Sequence, residues 1–453
     1  MVIVEGFGLV LTLIVAVLFI VIATAKLKIH PFLALLMATF GFGVFAGLPL
    51  NELVQAVTDG FGGLMGSIGI VIVTGTIIGT ILEKSGAAFR MAEVILRLIG
   101  SKRPQLAMSM IGGIVSIPVF CDSGYVILSS LKKSLAKRAK VALASMAVAL
   151  ATGLYATHTL VPPTPGPVAA AGNIGAEHIL GTIMIIGLIV AIPVIVVGYL
   201  WAVKVASKIE INPQHDELDY HEIIKSYGPL PSTTKAFLPI VLPIVLIALG
   251  TIVNFMGWTG TAADVFRFVG SPVVALLIGV LSSFILLPSW TEETINGWVG
   301  EAIKHAAPIL LITGAGGAFG SVIRATAITD LIEGLATVTA WAGPLVLLIP
   351  FFIAAALKTA QGSSTAAMVI TSALVAPLLT SFNIVDPIPL ALVVMAIGAG
   401  AMTVSHVNDS YFWIVKEFSG MTVTDAYKAQ TMATLVQGVT AILVTMLLWW
   451  ILV

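Results

Sequence analysis

The chain is 453 residues long, 58% apolar and 10% charged, with a mean hydropathy of +1.08 and a formal net charge of zero. Soluble domains average about 25% charged residues, so the composition excludes a soluble protein, offers no basic patch for nucleic acid, and defines an integral membrane protein. The single Cys121 excludes an internal disulfide and any CxxC metal or redox site.

An apolar run of roughly 20 residues crosses about 30 Å of hydrocarbon as a helix. Such runs fall near 4–25, 31–50, 64–83, 141–157, 181–203, 237–256, 272–288, 306–323, 389–403 and 431–453. Residues 1–25 lack a basic n-region and run into Lys26 and Lys28, so they read as a first membrane helix and not as a signal peptide. Placing the N-terminus outside puts Lys26 and Lys28 inside, then Lys84, Arg90, Arg97, Lys102 and Arg103, then the dense run Lys132, Lys133, Lys137, Arg138 and Lys140. Lys204, Lys208, Lys225, Lys235, Lys304, Lys416 and Lys428 also fall inside, which leaves Arg267, Arg324 and Lys358 of the 22 basic residues unaccounted for. Both termini are then expected to be extracytoplasmic. Glu83-Lys84 and the segment Arg90 to Arg103 read as interfacial and amphipathic, and Trp449-Trp450 as an aromatic anchor.

The polar stretch 204–236 reads as a cytoplasmic linker between a first membrane repeat, 1–203, and a second, 237–453. Ile72-Val73-Thr74-Gly75 and Gly79-Thr80-Ile81-Leu82 match Leu311-Ile312-Thr313-Gly314 and Gly320-Ser321-Val322-Ile323, while the charges run 64–83 and 306–323 in opposite directions. The repeats are therefore expected to be inverted, an arrangement that supports alternating access around a midplane site.

Two segments in each repeat interrupt the apolar pattern. In the first, 104–130 lies between basic flanks and reads as a re-entrant hairpin with Asp122, Ser123 and Gly124 near its tip. A broken helix follows at about 157–170, where Thr157-His158-Thr159 precedes Pro162, Pro163, Pro165 and Pro167. In the second, the hairpin 344–379 carries Lys358 and Gln361-Gly362-Ser363-Ser364-Thr365, and the break at about 403–411 carries Ser405-His406-Val407-Asn408-Asp409. Polar backbone at membrane depth survives only where protein or a water-filled cavity surrounds it. Duplicated breaks of this kind point to the substrate site of a secondary transporter.

An ionised Asp122 in its apolar context costs several kcal/mol unless paired or hydrated, so it pairs, takes a proton, or does each in turn. Lys358 can hold a substrate carboxylate or neutralise Asp122 across the repeat interface. The backbone amides around Gly362, Ser363, Ser364 and Thr365 suit an anion at a helix N-terminus. His158 and His406, in matching repeat positions, can meet substrate hydroxyls together with Thr157, Thr159, Ser405 and Asn408, and Asp409 is a second carboxylate able to carry a coupled proton. Gly314-Ala315-Gly316-Gly317 lacks the Lys and strand-helix context of a nucleotide loop. With no ATPase motif, uphill transport must draw on an ion gradient. Casting His158, His406, Asp122 and Asp409 as metal ligands of a membrane enzyme is disfavoured because an inverted repeat needs no catalyst; a passive channel is the third class.

The chain resembles the gluconate permease family of bacterial inner-membrane symporters, within the wider ion transporter superfamily. The resemblance spans the whole chain and is carried by Val161-Pro162-Pro163-Thr164-Pro165-Gly166-Pro167, Gln361-Gly362-Ser363-Ser364-Thr365 and Val404-Ser405-His406-Val407-Asn408-Asp409-Ser410-Tyr411-Phe412-Trp413. It implies proton-coupled uptake of gluconate or a related sugar acid, a mobile part bearing two re-entrant hairpins, and a homodimer working by an elevator-like displacement. Gluconate members tend to carry Glu at the position of Asp122 and Arg at that of Lys358; Arg to Lys removes a bidentate fork, and a branch of the family carries D-serine. The expectation is an all-α membrane protein with about 10–12 transmembrane helices, two re-entrant hairpins and broken helices, importing a small hydroxylated carboxylate. Its coupling ion is H⁺, with Na⁺ the alternative, and it needs no metal or cofactor.

Overall fold

The computed structural model describes residues 7–100, 103–211, 228–326, 343–380 and 382–453, and every regular element among them is helical. α1 (Phe7–Ala25) and α2 (Pro31–Phe45) lead into α3 (Leu50–Lys84) and the amphipathic α4 (Ala87–Ile99). A first hairpin follows, α5 (Pro104–Val115) and α6 (Cys121–Ala139), then a helix broken at Val161–Thr164 into α7 (Leu143–Leu160) and α8 (Pro165–Asn173), and then α9 (Leu180–Lys204). The second half runs through α10 (Thr233–Phe255), α11 (Thr261–Val269), α12 (Pro272–Ser283) and α13 (Glu292–Arg324). Its hairpin is α14 (Leu348–Gln361) and α15 (Ser364–Leu379), its broken helix α16 (Pro387–Met402) and α17 (Ser410–Glu417), and α18 (Met432–Leu452) closes it. Long helix, hairpin, broken helix and closing helix thus occur twice in the same order.

Proline sets several of these boundaries. Pro104, Pro165, Pro272 and Pro387 each stand at the first helical position, where the missing N–H costs nothing. Among the described residues, seven helices are long and apolar enough to cross a bilayer, eight if the pair bent by 64° at 270–271 is a single span. Some apolar runs, such as 389–403, belong to half-helices too short to cross alone. α3 and α13 err the other way: at 35 and 33 residues they exceed the expected 64–83 and 306–323, since hydropathy misses polar but helical first turns such as Asn51-Glu52 and Glu292-Glu293.

α3 and α13 lie antiparallel. At one end Lys84 meets Glu301 at 2.6 Å; nearer the other, a Cβ on Gly317 would stand 2.6 Å from the Gly60 carbonyl, so these backbones touch only because neither residue has a side chain. The centre of the molecule is α7 and α16, buried along almost their whole length. Around them α1, α9, α10 and α18 turn Leu11, Ile192, Val241 and Leu443 outward, the apolar surface that lipid covers.

Three sequence expectations need revision or fall out of view. The second arm of the first hairpin continues to Ala139, and Lys132, expected in the basic cytoplasmic run, is fully buried on it. Its ammonium donates to Tyr125 Oη at 3.0 Å, Phe418 O at 3.0 Å and Ser419 Oγ at 2.9 Å, which is how a lysine is accommodated in an interior without solvent. Lys102, Lys225 and most of the linker, 212–227, lie outside the described residues.

Candidate functional site

Both hairpin tips and the second helix break meet at one cavity of about 390 Å³, within the roughly 300–1,000 Å³ typical of small-molecule sites. Three helices begin at its wall: α6 through Cys121 and Asp122, α15 through Ser364 and Thr365, and α17 through Ser410 and Tyr411. A helix N-terminus carries about half a positive charge and unpaired N–H groups. Three such ends around one space form a setting for an anion. Pro308, Ile309 and Ile312 of α13 form the opposite, apolar wall; Pro308, inside its helix, removes a backbone hydrogen bond there.

The second hairpin and second break are fastened together. Lys358, fully buried at the end of α14, donates to Asp409 Oδ2 at 2.6 Å and to the Gly362 carbonyl at 2.5 Å, and lies 5.8 Å from the Tyr155 ring centre. Asp409 also accepts from Ser405 Oγ at 2.5 Å and, capping α17, from the Tyr411 N–H at 3.1 Å. Asn408 Nδ2 donates to the Thr359 carbonyl at 2.7 Å, and His406 Nε2 lies 2.8 Å from the same oxygen. Gly362 turns the tip with φ +87°, and a Cβ there would strike the Asn408 carbonyl. Only glycine permits both the left-handed turn and the close approach.

The sequence left two partners open for Lys358, and the geometry gives Asp409, not Asp122. Asp122 stands half-buried in the cavity wall with Ser410 Oγ at 3.4 Å and the Cys121 thiol at 4.0 Å, and none of the described residues forms an ion pair with it. With all groups ionised, the two carboxylates and one ammonium leave this region one negative charge in excess.

Among the other expected residues, His158, Gln361, Gly362, Ser363, Ser364, Thr365 and Asn408 line the cavity. His158 Nδ1, both amide atoms of Gln361 and Asn408 Oδ1 are buried without a hydrogen-bond partner. Such orphans cost about 1–3 kcal/mol each, which a ligand can recover. Ser363 Oγ caps α15 by accepting from the Ala366 N–H at 3.2 Å. Ser123, Gly124, Thr157, Thr159, Ser405 and His406 are outside the wall. Ser123 lies near Glu83 of α3, Gly124 packs on Leu154, and Thr159 Oγ1 donates back to the Tyr155 carbonyl at 3.0 Å. Thr157 is buried with its hydroxyl unpartnered.

Sequence reasoning missed Phe120, Tyr155 and Tyr411 in the wall. Tyr155 Oη shares a 2.8 Å hydrogen bond with Ser364 Oγ, its ring stacks on Tyr411 at 5.1 Å, and Tyr411 Oη donates to the Ala151 carbonyl at 2.9 Å. Phe120 meets the His158 ring at 5.9 Å. An aromatic one turn before His158, or just after a polar break, was the available signal, but in an apolar chain it reads as core.

Spanning helices around a polar cavity built from hairpin tips and a broken helix define a membrane transporter, not an enzyme. The same fold occurs in two solved transporters, MtrF of Neisseria gonorrhoeae (TM-score 0.63, 17% identity, 98% of this chain and 95% of that one) and YdaH of Alcanivorax borkumensis (TM-score 0.64, 15% identity, 97% and 98%). The profile of the GntP family permeases matches residues 8–451, and the chain belongs to that family. Its relatives include the inner membrane permease YgbN of Escherichia coli (33% identical, 96% of each chain) and the gluconate permease of Pseudomonas aeruginosa (31%, 97% of each). The D-serine transporter DsdX of Escherichia coli is 32% identical over 96% of this chain and 97% of its own.

Proposed function

We propose that this permease is a proton-coupled symporter that imports gluconate or a related small hydroxylated carboxylate across the bacterial inner membrane. The observation that carries the reading is the cavity's charge layout: three helix N-termini face a space walled by Asp409, already engaged by the fully buried Lys358, and by Asp122, which has no ion-pair partner among the described residues. A carboxylate entering beside an ionised Asp122 would meet like charge in a poorly screened site. Protonation of Asp122 removes that repulsion, so anion and proton bind together and leave together. Asp409, with its oxygens taken by Lys358, Ser405 and Tyr411, serves this scheme as the fastener, which makes Asp122 the first candidate for the coupled proton.

In this reading the carboxylate lies at the N–H groups of Ser364 and Thr365, and hydroxyls meet His158, Gln361 and Asn408. The two halves act as inverted repeats, the hairpins and broken helices move as a unit against α3 and α13, the assembly is a homodimer, and both termini face the periplasm. The reading is supported by gluconate-named relatives. A second substrate is favoured by DsdX: a zwitterion such as D-serine would set its ammonium against an ionised Asp122 and need no proton there. Na⁺ in place of H⁺ remains the alternative coupling ion.

The test is uptake of labelled gluconate into proteoliposomes under an imposed inward proton gradient, with glycerate, other aldonates and D-serine as competitors. Accumulation abolished by an uncoupler but indifferent to Na⁺ is the expected result. Uptake that follows Na⁺ alone, or no competition by any of these acids, would refute it.

A further inference from the structure

A second cavity of about 300 Å³ lies beside the first. Two helices line both: α13 through Ile312 and then Gly316, and α15 through Val369 and then Ala373. Four residues along a helix advance about 6 Å, so the second cavity is the next turn along the same groove. The two spaces are divided where a Cβ on Gly316 would stand 3.2 Å from Val369 Cγ1 and 3.4 Å from Asn173 Nδ2. The polar side chains of its wall are Asp59, Ser67, Asn173, Glu177, Ser321 and Arg324. It lies toward the N-terminal end of α3 and the C-terminal end of α13, away from the Lys84–Glu301 pair.

The polar groups here are oriented but unsatisfied. Asn173 donates through Nδ2 to the Val369 carbonyl at 3.0 Å and Ser372 Oγ at 2.8 Å, which fixes its carboxamide and leaves Oδ1 buried without a donor. Glu177 Oε2 is likewise buried without a donor. Arg324, at the outer end, is exposed and forms no ion pair among the described residues. The wall thus offers a guanidinium for a carboxylate and, deeper, acceptor oxygens in need of O–H donors. A lone carboxylate would satisfy only the first, and a simple cation, which Asp59 and Glu177 could hold, would leave the guanidinium unused. A chain with a carboxylate at one end and hydroxyls along its length satisfies both.

We propose that this cavity is an approach subsite for the transported hydroxylated carboxylate, filled from the Arg324 side before the substrate passes Gly316 to the central cavity. The inference rests on the substrate class proposed above. Arg324 binds the carboxylate, and Asn173 Oδ1 and Glu177 Oε2 accept from hydroxyls. Because the subsite belongs to one side of the membrane only, its loss changes the apparent affinity from that side and from no other.

The experiment compares wild type with Arg324→Gln and Arg324→Lys in proteoliposomes of determined orientation, measuring gluconate KM and Vmax separately for the two directions, together with equilibrium gluconate binding in detergent. Arg324→Gln is expected to raise KM about tenfold from the Arg324 side, the factor for one lost charge-assisted contact. Vmax in that direction and detergent binding stay unchanged; because the equilibrium across the membrane is fixed, transport in the reverse direction loses the same factor in Vmax/KM as slower release at unchanged KM, and Arg324→Lys recovers part of both losses. An equal rise of KM in both directions, a fall in Vmax with unchanged KM from the Arg324 side, or no change would overturn the subsite. A wild type that moves no hydroxylated carboxylate would overturn the substrate reading and this inference with it, whereas normal wild-type uptake without a sided effect overturns this inference alone.

Discussion

Replacing Lys358 by Met tests whether the second hairpin is held to the second break by a buried ion pair. Lys358 is fully buried, and its removal leaves Asp409 nineteen-twentieths buried without its cation at 2.6 Å. Breaking a buried pair from one side costs about 3–5 kcal/mol. Asp409 keeps its bonds from Ser405 Oγ and the Tyr411 N–H, which places Lys358→Met near the lower end of that range. Asp409→Asn leaves the buried ammonium with neutral oxygens only and should cost as much. In the double variant neither charge remains, and the loss falls to about 2 kcal/mol, two ordinary hydrogen bonds. Equilibrium unfolding of the purified protein in mixed SDS and nonionic micelles measures all three. The fastening account requires non-additivity of about 2 kcal/mol or more; additivity within about 0.5 kcal/mol would mean that the two residues act independently and would refute it.

Asp122→Asn should still exchange labelled for unlabelled substrate across the membrane yet fail to accumulate it; accumulation that persists under the gradient would remove Asp122 from coupling. Gly362→Ala places a Cβ at φ +87° against the Asn408 carbonyl, costing about 1–2 kcal/mol in backbone strain alone, so transport and melting temperature should both drop, and a wild-type melting curve would contradict the tip geometry. Gln361→Leu removes two buried unpartnered polar atoms; its melting temperature should hold or rise while KM for a polyhydroxylated acid rises about tenfold, one lost hydrogen bond to substrate, and an unchanged KM would place Gln361 outside the substrate contacts. Lys132→Met deletes three bonds, two of which join α6 to the turn after α17, and should destabilise by about 1–3 kcal/mol; a neutral effect in the same unfolding assay would show that this buried amine fastens nothing.

The amino-acid sequence alone determined the environment, the helical class and the four segments that interrupt it. Lipid tolerates no unpaired backbone, so Asp122-Ser123-Gly124, Pro162-Pro163, Gln361-Gly362-Ser363 and Ser405 to Asp409 stood out against apolar runs as places that must be sheltered. Gly362 and the cavity-lining Ser363, Ser364 and Thr365 were legible for that reason. The partners of those residues were not. That Lys358 pairs with Asp409 while Asp122 stays open, and that Lys132 is sealed under Tyr125, depend on which helices cross where. Tyr155 and Tyr411 were invisible for a related reason: an aromatic residue in an apolar helix has the same local pattern whether it faces core, lipid or ligand. Hydropathy and spacing record what each segment must avoid, and these hold along the chain; ion pairing and cavity walls are made between segments distant in sequence, so only the folded arrangement of α6, α14 and α17 around α7 and α16 decided which polar groups were consumed by structure and which were left for a substrate.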